Sequence, residues 1–189
     1  MPLVKRGRVV EDPYLRVVDD APIPDGAAVI VPAARFLADA TELTQRGAPT
    51  GLIWPNDRKV AELAPWLDRL ALIALTFPNF RDGRAYTQAR QLRERYGFRG
   101  ELRATGEILR DQFLFLTRAG FDSLEVKKAA DAAAYAEAVG RYSVFYQPSA
   151  NGFAPAQRRR LLGAVAGGER IATTADLARS SGLRRGPAI

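Results

Sequence analysis

The sequence predicts an α/β protein with a mostly parallel sheet, built from about six βα units. Short apolar runs of strand length alternate with segments long enough to be helices, and the latter carry apolar residues at three- and four-residue spacing. Prolines and glycines stand at the borders between the two kinds of segment. We favour an open, doubly wound sheet over a partial βα barrel, because a closed barrel needs eight units and about 250 residues.

The strand and helix predictions follow directly from this alternation. The six predicted strands cover residues 27–31, 51–54, 71–77, 101–104, 123–126 and 143–146. The five predicted helices cover residues 33–46, 57–70, 83–96, 107–119 and 128–139. Each of four glycines ends a helical pattern, where a left-handed residue is the usual stop; they are Gly47, Gly97, Gly120 and Gly140.

Three regions differ in character along the chain. Residues 1–26 are predicted to be an irregular or short β lead-in, in which residues 9–10 and 15–18 would form a hairpin. Residues 27–148 are predicted to be the α/β domain. Residues 149–189 are predicted to be a basic, helical or partly disordered segment, with a helix from Pro155 that carries Arg158, Arg159 and Arg160.

Composition excludes several kinds of chemistry. The chain of 189 residues has no Cys and no His, so a disulfide, a thiolate nucleophile and a Cys- or His-ligated metal are all ruled out. Acids and bases must come from Asp, Glu, Lys or Tyr, and no cluster of carboxylates predicts a metal site. Without a signal peptide or a run of about 18 apolar residues, the expected location is the cytoplasm.

Charge is spread unevenly. The net charge is +7, and residues 152–189 hold seven Arg against Glu169 and Asp176, a net of +5. Nucleic-acid binding is therefore not favoured, since a nucleic-acid reader usually carries its basic stripe on the folded face.

Candidate binding residues cluster where predicted strands end, which is where open α/β sheets bind ligands. Arg81 and Arg84 follow the third strand and precede a helix, an arrangement that suits an anion, although a capped helix with solvated arginines has the same pattern. Arg103 shares a sheet face with Glu101 by the two-residue period of a strand, and a charged pair on a buried face needs a partner or a ligand. The predicted anion- or substrate-binding set is Arg81, Arg84, Arg103, Asp111 and Gln112. The catalytic residues are unknown.

The stretch FPNFRDGRAYTQARQLRERYGFRGELRATGEILRDQFLFLTRAGFDSLEV resembles an uncharacterised bacterial family described as probable oxidoreductases involved in sulfite reduction. The resemblance spans roughly residues 27–148. It implies a role in sulfate assimilation, with sulfite reductase as a partner, and it carries over no catalytic residue. Sulfite reduction needs a redox cofactor that no side chain here supplies, so an accessory protein is the first hypothesis. The alternative is a small-anion or cofactor-binding α/β enzyme; a non-covalent flavin or NADPH is compatible with the sequence, but no motif for either is present.

Overall fold

The computed structural model describes residues 1–18, 21–141, 145–150 and 155. In this part of the chain one curled sheet of eight strands, mostly parallel, is combined with helices, and the sheet does not close into a barrel. The strands are β1 (Leu3–Lys5), β2 (Arg8–Val10), β3 (Leu15–Arg16), β4 (Val29–Pro32), β5 (Thr50–Trp54), β6 (Leu72–Phe77), β7 (Glu101–Gly106) and β8 (Ser123–Glu125). The α/β prediction is thereby confirmed.

The helical segments fall where the sequence predicts them, but several are not plain α-helices. The α-helices are α1 (Ala33–Ala38), α2 (Ala40–Gln45), α3 (Arg84–Arg90), α4 (Phe113–Ala119) and α5 (Asp131–Gly140). Residues Val60–Arg69, predicted to be α-helical, form a 3₁₀ helix that contains Pro65. Proline removes a hydrogen-bond donor and clashes with the carbonyl four residues earlier, so a regular α-helix is disfavoured there. A π-helical turn, Gln91–Arg95, extends α3, and a 3₁₀ turn, Arg110–Gln112, precedes α4.

The strand order is β2-β1-β8-β7-β6-β5-β4-β3. From β3 to β8, strands that follow one another in the chain are parallel neighbours, and β1 pairs antiparallel with both β8 and β2. Strands β4 to β8 match five of the six predicted strands. The sixth, at residues 143–146, falls partly on residues 142–144, outside the described residues.

The predicted hairpin between residues 9–10 and 15–18 is wrong. Strand β2 pairs with β1, while β3 pairs in parallel with β4 at the opposite end of the sheet. The two edge strands are therefore joined by residues 11–14 alone. Because an extended chain covers at most about 3.6 Å per residue, the end of β2 and the start of β3 lie no more than about 18 Å apart. The sheet curls far enough to bring its edges near each other.

The two faces of the sheet are buried in different ways. One face packs with the helices in a large apolar cluster that includes Leu52, Trp54, Ile73 and Leu75. The opposite face, which we call the inner face, has only a small apolar cluster. It consists of Ile30, Leu72 and Ala74, with Tyr14 and Ile53 packed against them. Apart from Leu3, which is paired with Glu125, the buried side chains on the rest of the inner face are polar. Within the described part of the chain, every helix is too short or too polar to cross a membrane.

Candidate functional site

Arg103 is the centre of an ionic network on the inner face. It lies in the middle of β7 and its side chain is fully buried, with 0% exposure. Its guanidinium binds the Asp12 carboxylate through two hydrogen bonds, of 2.6 Å from Nη1 and 3.1 Å from Nη2. Nη2 and Nε also donate to Oε1 of Glu101, at 3.0 and 3.2 Å. The predicted shared face of Glu101 and Arg103 is thus confirmed, and carboxylates of the chain itself are the partners.

Further ion pairs extend this network to both ends of the sheet. Glu125 on β8 has Oε1 3.5 Å from Nη1 of Arg103 and forms a second ion pair with Arg16 on β3. Its other oxygen accepts a 2.7 Å hydrogen bond from Thr105. Glu101 also accepts from Lys5, at 2.8 Å, and from Ser123, at 2.6 Å. We call this set the inner network: Lys5, Asp12, Arg16, Glu101, Arg103, Thr105, Ser123 and Glu125. Arg16 is on the edge strand β3 and Glu125 is on β8, the third strand from the opposite edge, so their ion pair bridges the curled sheet.

Their partners hold Glu101 and Arg103 in the charged forms. Burial would raise the pKa of Glu101, but hydrogen bonds from Lys5 and Ser123 and the charge of Arg103 keep it below its usual range. Burial would likewise lower the pKa of Arg103, but the hydrogen bonds and charges of Asp12 and Glu101 outweigh burial and raise this pKa above its usual value. Tyr14, whose ring lies 5.6 Å from the Arg103 guanidinium, has its pKa raised by burial and by the charge of Glu101. Every nitrogen of the guanidinium already donates to a carboxylate, so an incoming anion would have to displace Asp12 or Glu101.

The other four predicted residues lie together, at the carboxyl ends of β6 and β7. Arg81 and Arg84 are in and just after the loop that follows β6, while Asp111 and Gln112 follow β7. The amide of Gln112 donates a 2.8 Å hydrogen bond to the Phe80 carbonyl and so joins the two loops. We call this group, together with Asp82 and Tyr86, the rim. Arg103 is not part of it, because its side chain points to the inner face.

Within the rim, Asp82 and Arg84 pair with each other, and the pKa shifts of Asp82 and Tyr86 move both groups away from neutral pH. Asp82 binds Arg84 at 2.6 Å, and hydrogen bonds from Arg84 hold the pKa of Asp82 well below its usual range. Burial, followed by the charge of Asp111, raises the pKa of Tyr86 to about 12. A general base works best with a pKa near the operating pH, so at neutral pH Tyr86 is a hydrogen-bond donor and not a base. Arg81 is exposed, stacks on the Phe80 ring at 5.2 Å, and forms no ion pair with another described residue.

Sequence reasoning missed three buried polar side chains next to the rim. Trp54 Nε1 and Gln88 Oε1 are buried and have no hydrogen-bond partner among the described residues, while the buried Asn56 amide helps to lower the pKa of the Asp82 carboxylate. Trp54 ends β5 and Asn56 lies in the loop that follows. Gln88 reaches this loop from α3, where its Nε2 donates to the carbonyls of Pro55 and Arg58, at 3.0 and 2.8 Å. Most buried polar groups in proteins are hydrogen-bonded, and leaving one unpaired costs about 1–3 kcal/mol. A signal was present: Gln88 stands beside Ala85 and Ala89 on the apolar face of a predicted helix.

Metal binding has no support among the described residues, where no three Asp or Glu side chains come together as a metal site would need. The predicted basic helix with Arg158, Arg159 and Arg160 lies outside the described residues.

A family model described as bacterial protein of unknown function (DUF934) matches residues 51–157. The match covers more than half of the chain, which therefore belongs to this family. No curated protein matches the chain. The matched region contains the rim and the part of the inner network on β7 and β8, whereas Lys5, Asp12 and Arg16 precede it. The expected membership of an uncharacterised bacterial family is confirmed, while the sulfite role remains a proposal.

Proposed function

As a premise we take family membership, and we propose that this protein is an accessory factor of assimilatory sulfite reduction that works with sulfite reductase. It would have no metal or haem centre of its own. The observation that carries the proposal is the complete absence of Cys and His from the chain. Iron–sulfur clusters need Cys or His ligands, so the multi-electron step would take place on a partner protein. The resemblance of residues 27–148 to proteins linked with sulfite reduction supplies the pathway.

The first test is growth of a deletion strain on sulfate, on sulfite and on cysteine as the only sulfur source. We expect no growth on sulfate or sulfite and normal growth on cysteine, because cysteine enters the pathway after the sulfite step. Normal growth on all three, in a strain without a second copy of the gene, would refute the proposal.

Complementation of that strain can show whether the rim takes part. Arg84→Ala removes a rim arginine, and Arg90→Ala is its matched control. The two side chains lie on the same helix, are 58% and 61% exposed, and each pairs with one neighbouring carboxylate. We expect Arg90→Ala to restore growth on sulfite fully and Arg84→Ala to restore it only in part.

The second candidate function is binding of a small anion or a non-covalent cofactor at the rim, by an enzyme of the α/β class. It is favoured by Trp54 Nε1 and Gln88 Oε1, a buried donor and a buried acceptor that have no hydrogen-bond partner among the described residues. Calorimetry with sulfite, phosphate, flavin and NADPH tests it. A dissociation constant below about 1 mM for one of the four ligands, with binding lost in Arg81→Ala, would support it. The absence of a binding signal with all four ligands would exclude it.

Strand order also leads us to infer a half-barrel in place of the doubly wound sheet. Right-handed crossovers between successive neighbours put every helix on the same face, whereas a doubly wound sheet needs a reversal of strand order. The two apolar clusters support this inference. The large cluster includes residues from the helices, whereas the inner face has only the small cluster. In either arrangement ligands bind at the carboxyl ends of the strands, which is where the rim lies.

A further inference from the structure

A second concave surface lies at the opposite edge of the sheet, near the amino ends of β7 and β8. It is a cavity of about 540 Å³, lined among others by Lys5, Arg6, Arg93, Arg99, Phe121 and Tyr135. Cavities that bind small organic ligands usually have volumes of about 300–1,000 Å³. Neither the rim nor the proposed accessory function uses this cavity.

Its lining has an excess of positive charge. Four cationic side chains face two carboxylates, Glu101 and Asp122, which leaves a net charge of +2. Both carboxylates are already paired, Glu101 with Lys5 and Asp122 with Arg93. A ligand that neutralises the cavity would therefore carry about two negative charges.

Arg93 builds the wall of the cavity and is not available to a ligand. Its guanidinium donates to the carbonyls of Phe98, Gly100 and Gly120, at 2.6, 2.9 and 3.0 Å, and to the Asp122 carboxylate. These contacts fix the entry to β7 and the end of α4.

Arg6 and Arg99 are the cations that remain available. Both are exposed, and neither makes a hydrogen bond or an ion pair with another described residue. Because a guanidinium presents a planar fork of donors, two of them can hold one phosphate group.

The backbone at Arg6 gives an independent reason to suspect a ligand. Arg6 has φ +52° and Gly7 has φ +77°, the left-handed values that a type I′ turn requires at its two central positions. Asn, Asp or Gly is preferred at the first of these positions, and a left-handed residue of another type is uncommon. Gly7 packs so closely on α5 that an added Cβ would lie 2.9 Å from the Cβ of Ala136. The turn is thus held in place, and backbone strain of this kind is concentrated at functional sites.

Two aromatic side chains also line the cavity. Phe121 and Tyr135 are buried, with 4% and 6% exposure, and the Tyr135 hydroxyl lies 3.0 Å from that of Thr117. We propose that the cavity binds a small organic phosphate monoester, with its phosphate on Arg6 and Arg99 and its apolar part against Phe121 and Tyr135. A phosphate monoester carries a charge of about −1.5 to −2 at neutral pH, which matches the lining.

Phenyl phosphate is the probe, with inorganic phosphate and phenol as its two halves, and binding is measured by calorimetry on the full chain. We expect phenyl phosphate to bind more tightly than either half. Arg99→Ala should weaken it about tenfold, as expected for the loss of a charge-assisted hydrogen bond. The control Arg90→Ala removes the same charge elsewhere and should leave the affinity unchanged.

Arg6→Gly separates binding from folding. Since glycine adopts the left-handed conformation without steric cost, this variant should melt at a higher temperature than wild type and yet bind phenyl phosphate about tenfold more weakly. Absence of phenyl phosphate binding at 10 mM overturns the proposal. Equal affinity of wild type, Arg6→Gly and Arg99→Ala overturns it too, as does an equal loss in Arg90→Ala.

Discussion

Replacing Arg103 by methionine should destabilise the protein strongly. The change keeps much of the side-chain volume but removes the one buried cation that lies between Asp12 and Glu101 and within 3.5 Å of Glu125. At about 3 Å and an effective dielectric constant of about 20, each close ion pair attracts by about 5 kcal/mol, which offsets the cost of desolvation. Removing one partner of a buried pair usually costs about 3–5 kcal/mol, and we expect a loss in that range at pH 7.

The dependence of this loss on pH follows from the pKa of Glu101. In the wild type that pKa is lowered by folding, so the stabilisation is present above the unfolded pKa of about 4.5 and disappears as the pH falls through the folded value. In Arg103→Met the charge and the hydrogen bond of Arg103 are missing, whereas the hydrogen bonds from Lys5 and Ser123 remain, so the pKa of Glu101 is lowered by less than in the wild type. The stabilisation that Glu101 contributes above the unfolded pKa of about 4.5 is therefore smaller in the variant. The difference from wild type should be largest at pH 7 and smaller at about pH 3, where the carboxylate is becoming protonated.

Urea unfolding at pH 7 and at about pH 3, followed by the fluorescence of buried Trp54, measures the loss of stability and its dependence on pH. Arg90→Met is the control and should cost less than about 0.5 kcal/mol, because exposed ion pairs contribute little. If Arg103→Met does not fold, Arg103→Lys keeps the charge without the double hydrogen bond and should show a smaller loss. A loss below about 1 kcal/mol at pH 7, or one that grows at about pH 3, would show that the network is not what holds the inner face together.

Three further predictions concern single side chains. Gly106→Ala should lower the melting temperature by several degrees, because φ is +100° and the new Cβ would lie 2.4 Å from a carbonyl oxygen of β6; Gly47→Ala meets no atom within 4 Å and should not. Tyr86→Phe should be less sensitive to alkali than wild type, since a tyrosine pKa raised to about 12 makes folding lose stability between about pH 10 and 12; urea unfolding at pH 9 and 11 measures this. Gln88→Met should cost about 1–3 kcal/mol in urea unfolding, because it removes both hydrogen bonds to the loop at residues 55–58; a neutral effect would contradict that role.

Strands β4 to β6 could be predicted from the sequence because they are mostly apolar and buried on both faces, so that they read as short continuous apolar runs. In β7 and β8 apolar residues alternate with polar ones, and there the bordering glycines and the spacing between helices indicated the strands. Helix type was harder to predict, since apolar spacing alone does not distinguish an α-helix from the 3₁₀ helix around Pro65. Of the four glycines predicted to end helices in the left-handed conformation, Gly97 and Gly120 adopt it, at φ +64° and +103°, while Gly47 and Gly140 do not.

The candidate site was predictable where a local period or the common edge of parallel strands decides it. A period of two residues was enough to put Glu101 and Arg103 on one face. It could not identify Asp12 as the main partner, because Asp12 is 91 residues away and its position depends on how far the sheet curls. Arg81, Arg84, Asp111 and Gln112 were brought together by a rule of parallel sheets, that successive strands end at the same edge.

The inner network explains why the lead-in at residues 1–18 shares a sheet with the rest of the chain. The network residues on β7 and β8 include two carboxylates, Glu101 and Glu125, and a single cation, Arg103. Lys5 and Arg16 add the missing positive charge, and Asp12 completes the coordination of Arg103. A buried face with an uncompensated carboxylate would be costly. The lead-in therefore supplies both the edge strands and the counter-charges that let a polar inner face form in this fold.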